Sequence, residues 1–189
     1  MELFEAIRTR RSIGKVSGEP IAKEMIEQIL DAAVWAPNHR MTEPWHFTVM
    51  TGEGRDKLGE AYAQIARAQA VDPEGEEAAK AAENARKKAF RALVVIAVAA
   101  VPSGRSDLFE IEEICAVSAA AQNMLLAAHA LGLGAIWRTG APCYDPLMNE
   151  AFDLRPQDKM LGFIYIGRPD MAPPVPRRIQ AAEKTVWVE

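Results

Sequence analysis

The stretch LVVIAVAAV, Leu93 to Val101, is a continuous apolar run that ends at Pro102. Its length suits a strand, and its β-branched residues favour a strand that is covered on both faces. Upstream, Ala22–Trp35 carries apolar residues three and four positions apart, which is the spacing of a helix that packs on one side. We therefore expect a central sheet that contains the Leu93–Val101 strand and is flanked by helices.

Other short segments are also predicted as strands, because they are apolar or β-branched and are bounded by glycine or proline. They are His46–Thr51, Gly132–Trp137, Met160–Ile166 and, near the chain end, Thr185–Val188. The stretch Arg55–Arg91, rich in Ala, Glu, Lys and Arg, is broken at Asp72–Gly75 and predicts two surface helices. Helices that separate the strands of one sheet indicate an α/β or α+β class, and the length suits a single domain over residues 1–189.

The segment from Cys115 to Trp137 has no Asp, Glu, Lys or Arg, and it is about as long as a bilayer span. Gln122, Asn123 and many alanines make its hydropathy too weak for a span. We expect instead a helix over Glu112–Leu131 that protein covers on all sides, which points to a role in oligomerisation.

Composition excludes several classes of protein. The net charge is −4, which gives no attraction to nucleic acid or to an anionic membrane. Cys115 and Cys143 are far apart and belong to no metal-binding pattern, which favours a reduced, cytoplasmic setting, and the N-terminus has no signal-peptide pattern. Neither of the two standard glycine-rich phosphate-binding motifs is present.

Three clusters of residues could bind a ligand. Arg10-Arg11-Ser12 follows the first predicted helix, and it could bind a phosphate or simply complement the helix dipole in water. A nucleic-acid patch is a third option that the acidic chain disfavours. The loop Ala36–Phe47 contains His39, which by itself is more typical of a surface loop. Trp137-Arg138-Thr139 ends a predicted strand, a common position for a ligand site.

Taken together, these clusters resemble the nitroreductase family of FMN-dependent oxidoreductases, in particular short bacterial NAD(P)H nitroreductases. The matching motifs are RRS, APNHRxTEPWxF, GLGAIWRTG and GFIYIGRP, and they cover about Glu2 to Pro169. The resemblance implies an α+β fold with a central, mostly antiparallel sheet flanked by helices. It also implies an interlocked homodimer with two FMN sites at the subunit interface.

The resemblance also assigns the site residues. The residues implied to bind FMN are Arg10, Arg11, Ser12, Trp35, His39, Trp137, Arg138 and Thr139. Trp35 and His39 would be donated across the dimer by the second subunit. The residues implied to bind the nicotinamide cofactor, NADH or NADPH, are Ala127, Ala128, His129, Ala130, Leu131 and Gly132. No catalytic side chain is expected, because the flavin carries the chemistry.

One position departs from the family pattern. Many nitroreductases have a lysine two residues after the serine, near the N1–C2 carbonyl edge of the flavin, and this chain has Gly14 there. A cation for that edge would then have to come from Arg11 or Arg138.

The implied activity is transfer of hydride from NAD(P)H through flavin N5 to a nitroaromatic, a quinone or a related small acceptor, in a ping-pong cycle. Two alternatives stay open on the sequence. One is a flavin-binding sensor or storage protein without turnover. The other is a flavin-fragmenting or dehalogenating enzyme built on the same fold.

Overall fold

A four-stranded sheet lies at the centre of the computed structural model, which describes residues 1–189. The strands are β1 (Trp45–Thr51), β2 (Val94–Ala100), β3 (Gly134–Arg138) and β4 (Lys159–Gly167). Their order in the sheet is β1-β2-β4-β3, and all three pairings are antiparallel. The protein is therefore α+β, with β1 and β3 as the two edge strands.

Six helices surround this sheet. They are α1 (Leu3–Thr9), α2 (Lys23–Val34), α3 (Asp56–Ala68), α4 (Glu76–Arg86), α5 (Glu110–Ala130) and α6 (Pro146–Ala151). Helices α2 and α5 pack on one face of the sheet, and α3 and α6 contribute to the core on the other. None of the helices is both long and apolar enough to cross a membrane.

Strand β2 is buried along its whole length, as its continuous apolar sequence predicts. Successive side chains of a strand point to opposite faces. Accordingly, Val94, Ile96 and Val98 belong to the core beneath α2 and α5, while Val95 and Ala97 belong to the core beneath α3. Because both faces are covered by helices, no position of this strand can be polar without a buried partner.

Helix α5 is covered on only one side within the protomer. Val117, Ala121 and Met124 are buried against the sheet and α2, whereas Cys115 and Gln122 on the opposite side are exposed. The expectation that protein covers this helix on all sides is therefore not met within one chain. The cause is that the chain places α2 and the sheet on the same side of α5. From Cys115 onward the open side is uncharged, which is unusual for a solvent-facing helix.

The prediction of a terminal strand at Thr185–Val188 is wrong. No strand forms there, and every residue from 171 to 189 is exposed. The sequence TVWV has strand propensity, but a strand needs a neighbour to satisfy its backbone groups, and the chain offers this segment none. The other predicted strands, and the two predicted helices Ala22–Trp35 and Glu112–Leu131, begin and end within two residues of the observed elements.

Candidate functional site

The Arg10-Arg11-Ser12 segment leaves α1 and runs along the edge of the sheet. The backbone N–H of Arg10 donates to the carbonyl of Ala6 at 3.0 Å, which closes the last turn of α1. The chain then extends, and the N–H of Ile13 donates to the carbonyl of Ala135 in β3 at 3.0 Å. Ser12 forms a parallel bridge with the same residue. The first and third sequence clusters are thus brought together.

The two arginines of this segment have different surroundings. Nη1 of Arg11 donates to the carbonyls of Arg8 and Arg10, each at 2.7 Å, so this side chain caps the end of α1. The helix-end interpretation is therefore correct for Arg11. The Arg10 side chain is half-buried and forms no ion pair. Burial lowers its pKa, and the nearby charges of Arg11 and Arg178 lower it further.

Arg178 is a residue that the sequence motifs did not identify. It belongs to the exposed C-terminal tail, and the only signal for it was the pair of arginines at 177–178 after a proline-rich run. Its charge acts on Arg10, so the tail lies near the start of the chain. Guanidinium groups that gather without a carboxylate repel one another, and an anion such as a phosphate would relieve that repulsion.

A cavity of about 540 Å³ lies at the end of β3. The residues that line it are Tyr62, Lys88, Arg91, Ile136, Trp137, Arg138, Thr139, Pro142, Cys143 and Tyr165. Three of them are cations and none is a carboxylate. All three residues of the Trp137-Arg138-Thr139 cluster are among them. The indole of Trp137 is fixed by a hydrogen bond of 3.0 Å that its Nε1 donates to the carbonyl of Leu161.

Two polar atoms at this cavity are buried without a hydrogen-bond partner, namely Nε of Arg138 and the hydroxyl of Tyr165. The Arg138 guanidinium lies over the Tyr165 ring, 5.5 Å from its centre. Burial raises the pKa of Tyr165 and outweighs the opposite effects of the nearby Tyr62 hydroxyl and of Arg138, so the Tyr165 hydroxyl stays protonated. An unsatisfied buried donor costs about 1–3 kcal/mol. A ligand that is rich in hydrogen-bond acceptors would therefore fit this cavity.

The loop after α2 has an unusual backbone. Arg40, Met41 and Glu43 have positive φ angles of 57°, 53° and 47°, in the left-handed region that side chains other than glycine rarely adopt. The side chain of Asn38 helps to hold this shape, because its Oδ1 accepts a hydrogen bond of 3.0 Å from the Glu43 N–H. Strained residues of this kind cluster at functional sites.

Trp35 and His39 flank the start of this loop. Trp35 is 80% exposed, which is unusual for a tryptophan that serves only the core. Nδ1 of His39 donates to Oε2 of Glu112 at 2.9 Å, and this hydrogen bond lowers the pKa of Glu112. The loop is thereby attached to the first turn of α5.

One protomer does not bring all the implied FMN residues together. His39 is attached to Glu112 near the start of α5, whereas Thr9, next to Arg10, contacts His129 near its end, with 2.8 Å between Oγ1 and Nε2. The two anchor positions are 17 residues apart on one helix, or about 25 Å at 1.5 Å per residue. The Arg10 end and the His39 end are therefore two separate regions within one chain.

The segment implied to bind the nicotinamide cofactor, Ala127–Gly132, forms the last turn of α5 and the bend that follows. Ala128 is fully buried in the core, whereas Ala130 and Gly132 are exposed. The Thr9 hydroxyl donates to a carbonyl of its own helix, so it accepts from Nε2 of His129. Burial lowers the pKa of His129, and the neighbouring arginines lower it further, so this imidazole is held neutral.

A second cavity, of about 470 Å³, lies between α6 and β4 and contains none of the implied site residues. Its buried carboxylate, Asp158, accepts hydrogen bonds from the guanidinium of Arg155 at 2.7 to 3.1 Å. That charge is already paired, so this cavity has no unsatisfied group that calls for a ligand.

Comparison with known proteins identifies the family of this chain. The model of the nitroreductase family matches residues 7–168. A protein of Escherichia coli strain K12 with the name "Putative NAD(P)H nitroreductase YdjA" is 36% identical over 171 residues, which is 90% of either chain. "Putative NAD(P)H nitroreductase YfhC" of Bacillus subtilis strain 168 is 33% identical over 93% of this chain and 89% of its own length.

Solved structures show the same fold. A nitroreductase-like family protein from Bacillus cereus superimposes with a TM-score of 0.86 at 30% identity, over 100% of this chain and 97% of that one. A "putative nitroreductase in complex with FMN" from Desulfovibrio desulfuricans superimposes with a TM-score of 0.68 at 28% identity, over 100% and 98% of the two chains. The chain described here belongs to the nitroreductase family.

Proposed function

We propose that this protein is an FMN-dependent NAD(P)H oxidoreductase that works as a homodimer with one flavin site at each end of the subunit interface. When bound, FMN would accept hydride from NADH or NADPH and pass it to a nitroaromatic, a quinone or a related small acceptor. The observation that carries the proposal is the cavity that gathers cations and unsatisfied donors at the end of β3, the strand with which Ser12 pairs. The FMN complex of the Desulfovibrio relative supports it.

Arg10 would bind the phosphate of FMN. Its guanidinium is half-buried, forms no ion pair and lies near the charges of Arg11 and Arg178. A phosphate would supply the missing negative charge, and Arg–phosphate hydrogen bonds are among the stronger ones in proteins. Ser12 is exposed and lies on the segment that runs beside β3, and its hydroxyl would add a further donor.

Trp137, Arg138 and Thr139 would hold the ring system. The hydrogen bond from Trp137 to Leu161 fixes the indole, so that it offers a rigid apolar surface at the end of β3. Nε of Arg138 and the Tyr165 hydroxyl would find acceptors in the carbonyl and nitrogen atoms of the isoalloxazine ring. The chain thus binds and orients the cofactor without a general acid or base.

The second half-site would come from the partner subunit. The open side of α5 carries Ile111, Cys115, Ala119, Gln122 and Leu126 at intervals of three or four residues, and none of these residues is charged. Two such helices packed about a twofold axis, running in opposite directions, would place the start of one beside the end of the other. Trp35 and His39 of the partner subunit would then complete the site that Arg10 begins.

Mixed dimers test the shared site. Arg10→Ala and His39→Ala subunits, with different affinity tags and produced in the same cells, would be purified as the doubly tagged dimer. In that dimer one site carries both substitutions and the other carries none. We expect about one tightly bound FMN per mixed dimer and much weaker binding by either parent dimer. If each site were built from a single chain, no site of the mixed dimer would be intact and its affinity would match the parents.

Turnover separates an oxidoreductase from a flavin-binding sensor or storage protein. The purified holoprotein is mixed anaerobically with NADH or with NADPH, and flavin absorbance is followed by stopped flow. We expect rapid bleaching with at least one nucleotide and recovery of the colour when a quinone or nitroaromatic is added. Flavin that stays oxidised for minutes with both nucleotides would reject the enzyme and favour the sensor. Loss of the flavin itself under air would favour the flavin-fragmenting alternative.

A further inference from the structure

We propose that His129 is a positioning residue, which through its hydrogen bond with Thr9 fixes the segment Arg10-Arg11-Ser12 where that segment would bind the phosphate of FMN. The nicotinamide cofactor would then bind elsewhere and not against the side chain of His129. The inference rests on the proposed FMN site. It gives a different role to a residue that the family resemblance places in the nicotinamide segment.

Helix α1, which carries Thr9 at its end, has little of its surface buried. It is seven residues long, and Ala6 is its only buried residue. Its large apolar side chains are half exposed or more, namely Leu3, Phe4 and Ile7. A helix this short has no stability of its own, because isolated helices of fewer than about 12–15 residues are marginal in water. The position of α1 therefore depends on the contacts that it makes with the rest of the chain.

The bond between Thr9 and His129 is the one side-chain hydrogen bond that joins α1 to another element, with 2.8 Å between Oγ1 and Nε2. The Thr9 hydroxyl donates to the Glu5 carbonyl at 2.7 Å, so Nε2 of the imidazole carries a proton and donates to Thr9. Burial lowers the pKa of His129, and Arg10 and Arg11 lower it further against the charge of Glu5. The ring is therefore neutral at pH 7, with its proton on the nitrogen that this bond requires.

The three residues of the segment lie between this hydrogen bond and a second anchor. Downstream, the N–H of Ile13 donates to the Ala135 carbonyl of β3 at 3.0 Å, and the Ile13 side chain is buried. A β-carbon added at Gly134 would lie 2.8 Å from a methyl carbon of Ile13, so this anchor is tightly packed. The upstream anchor is a single hydrogen bond at Thr9. Its loss should release Arg10 first, because Arg10 directly follows Thr9.

The last turn of α5 and the bend after it offer little to a dinucleotide. The backbone N–H groups of Leu131, Gly132 and Leu133 already donate to carbonyls of that turn, at 2.8 to 3.0 Å. This is also the C-terminal end of a helix of 21 residues, where the negative end of the helix dipole disfavours the diphosphate of NADH or NADPH. A diphosphate binds to free N–H donors and positive charge. The geometry therefore favours an internal role for His129.

The first measurement uses the flavin-free protein. The Arg10 N–H, which donates to Ala6 at the end of α1, reports whether the segment is held in place. Its hydrogen exchange, followed by NMR, should be about threefold to tenfold faster in Thr9→Val and in His129→Leu, as expected for the loss of one neutral hydrogen bond. Thr185→Val is the matched control. It removes an exposed hydroxyl that also donates to the carbonyl four residues earlier, at 2.8 Å, but has no side-chain partner, and it should change nothing.

The second measurement titrates the same apoproteins with FMN and follows flavin fluorescence. Thr9→Val and His129→Leu should each weaken binding about threefold to tenfold. The double variant should bind no more weakly than either single variant, because both substitutions remove the same hydrogen bond. His129→Gln, whose amide can donate in place of Nε2, should recover most of the affinity. The Michaelis constants for NADH and NADPH, measured at saturating FMN with a quinone as acceptor, should not change.

The outcomes separate this inference from the function on which it rests. Wild-type protein that binds no FMN would overturn both. FMN binding by the wild type, with the same affinity in Thr9→Val and His129→Leu, would overturn the positioning role alone, and so would additive losses in the double variant. A higher Michaelis constant for the nucleotide in His129→Leu, with Thr9→Val equal to the wild type, would assign His129 to the nicotinamide site. If His129→Leu fails to fold, Thr9→Val decides, because Thr9 is exposed and circular dichroism can verify its fold.

Discussion

The two half-sites of this protein differ in almost every physical respect. The first, around Arg10 and the end of β3, is partly buried, rich in cations and contains donors without partners. The second, around Trp35 and His39, is exposed, has a strained backbone, and has its one imidazole already paired with Glu112. The first has unpaired cations around a cavity of about 540 Å³, and the second has an exposed tryptophan and an open cavity of about 420 Å³ that His39 lines together with residues of α5.

In the proposed dimer, neither half is a complete site. Buried unsatisfied donors favour a ligand, whereas an exposed tryptophan beside a strained loop favours a partner surface. The two regions lie at opposite ends of α5, so the proposed second copy of the chain would bring them together.

The largest effect is expected from a charge on the open side of α5. Leu126 is half-buried there, and Leu126→Glu would place a carboxylate in the proposed interface. We expect complete loss of the dimer and of FMN binding together, measured by light scattering and flavin absorbance. Ala79→Glu, on the exposed side of α4, is the control and should change neither. A folded Leu126→Glu monomer that still binds FMN tightly would contradict the shared site.

Loss of the half-buried arginine should have the next largest effect. A hydrogen bond to a charged group contributes about 1.5–3 kcal/mol, so Arg10→Ala should weaken FMN binding about tenfold to a hundredfold. Arg8→Ala removes the same charge from the exposed last turn of α1 and should have little effect. Isothermal titration of the two apoproteins with FMN makes the comparison. Equal FMN affinities of Arg10→Ala and Arg8→Ala would contradict the assignment of Arg10 to the phosphate.

A smaller effect should follow from a substitution behind the first half-site. Gly162 has a φ of 133°, and a β-carbon there would lie 2.5 Å from the carbonyl oxygen of Arg138 and 2.6 Å from Nε1 of Trp137. Gly162→Ala should lower the free energy of unfolding by about 1–3 kcal/mol and weaken FMN binding by displacing the end of β3. Urea denaturation measures the first effect. Gly18→Ala, with nothing within 4 Å, is the control, and equal stability of the two variants would refute the clash.

The smallest effect concerns the titration of His129. Burial and the neighbouring arginines lower its pKa, so its neutral form stabilises the fold above the unfolded-state pKa, and this stability is lost as the pH falls through that value. A phosphate bound by Arg10 would offset the positive charge and raise the pKa of His129. We expect FMN to move its NMR titration to higher pH. The ring signals of His46, on the opposite edge strand, should not change, and no movement at His129 would place the phosphate elsewhere.

The sequence revealed only those site residues that lie in continuous motifs. Arg10-Arg11-Ser12 and Trp137-Arg138-Thr139 are recognisable as clusters of donors, and the structure pairs Ser12 with Ala135, two residues before Trp137 in β3. Lys88 and Arg178 have no such signal, because each is a common residue outside the motifs, and Tyr165 lies in the GFIYIGRP motif without any pattern that marks it as a ligand contact. They become candidates only through the cavity, the unsatisfied hydroxyl and the charge that the fold brings near the motifs.

One expectation was wrong, and one is met only in part within a single chain. The Thr185–Val188 segment has strand propensity but no neighbouring strand, whereas α5, which is uncharged from Cys115 onward, is covered on only one side within one protomer. In both places the local pattern contains no information about the surroundings. Propensity and apolarity are properties of a segment, whereas pairing and burial depend on what lies beside it.

By itself the sequence determined the class of the fold, the buried strand Leu93–Val101, nearly all element boundaries and the family motifs. These follow from periodicity and short-range chemistry, which act over a few residues. Two features became visible only in the folded chain. Arg11 caps a helix, whereas Arg138 lines a cavity and forms no ion pair. The Arg10 and His39 ends lie about 25 Å apart along α5. The physical reason is that charge balance and distance depend on contacts between residues far apart in the chain, which no local pattern encodes.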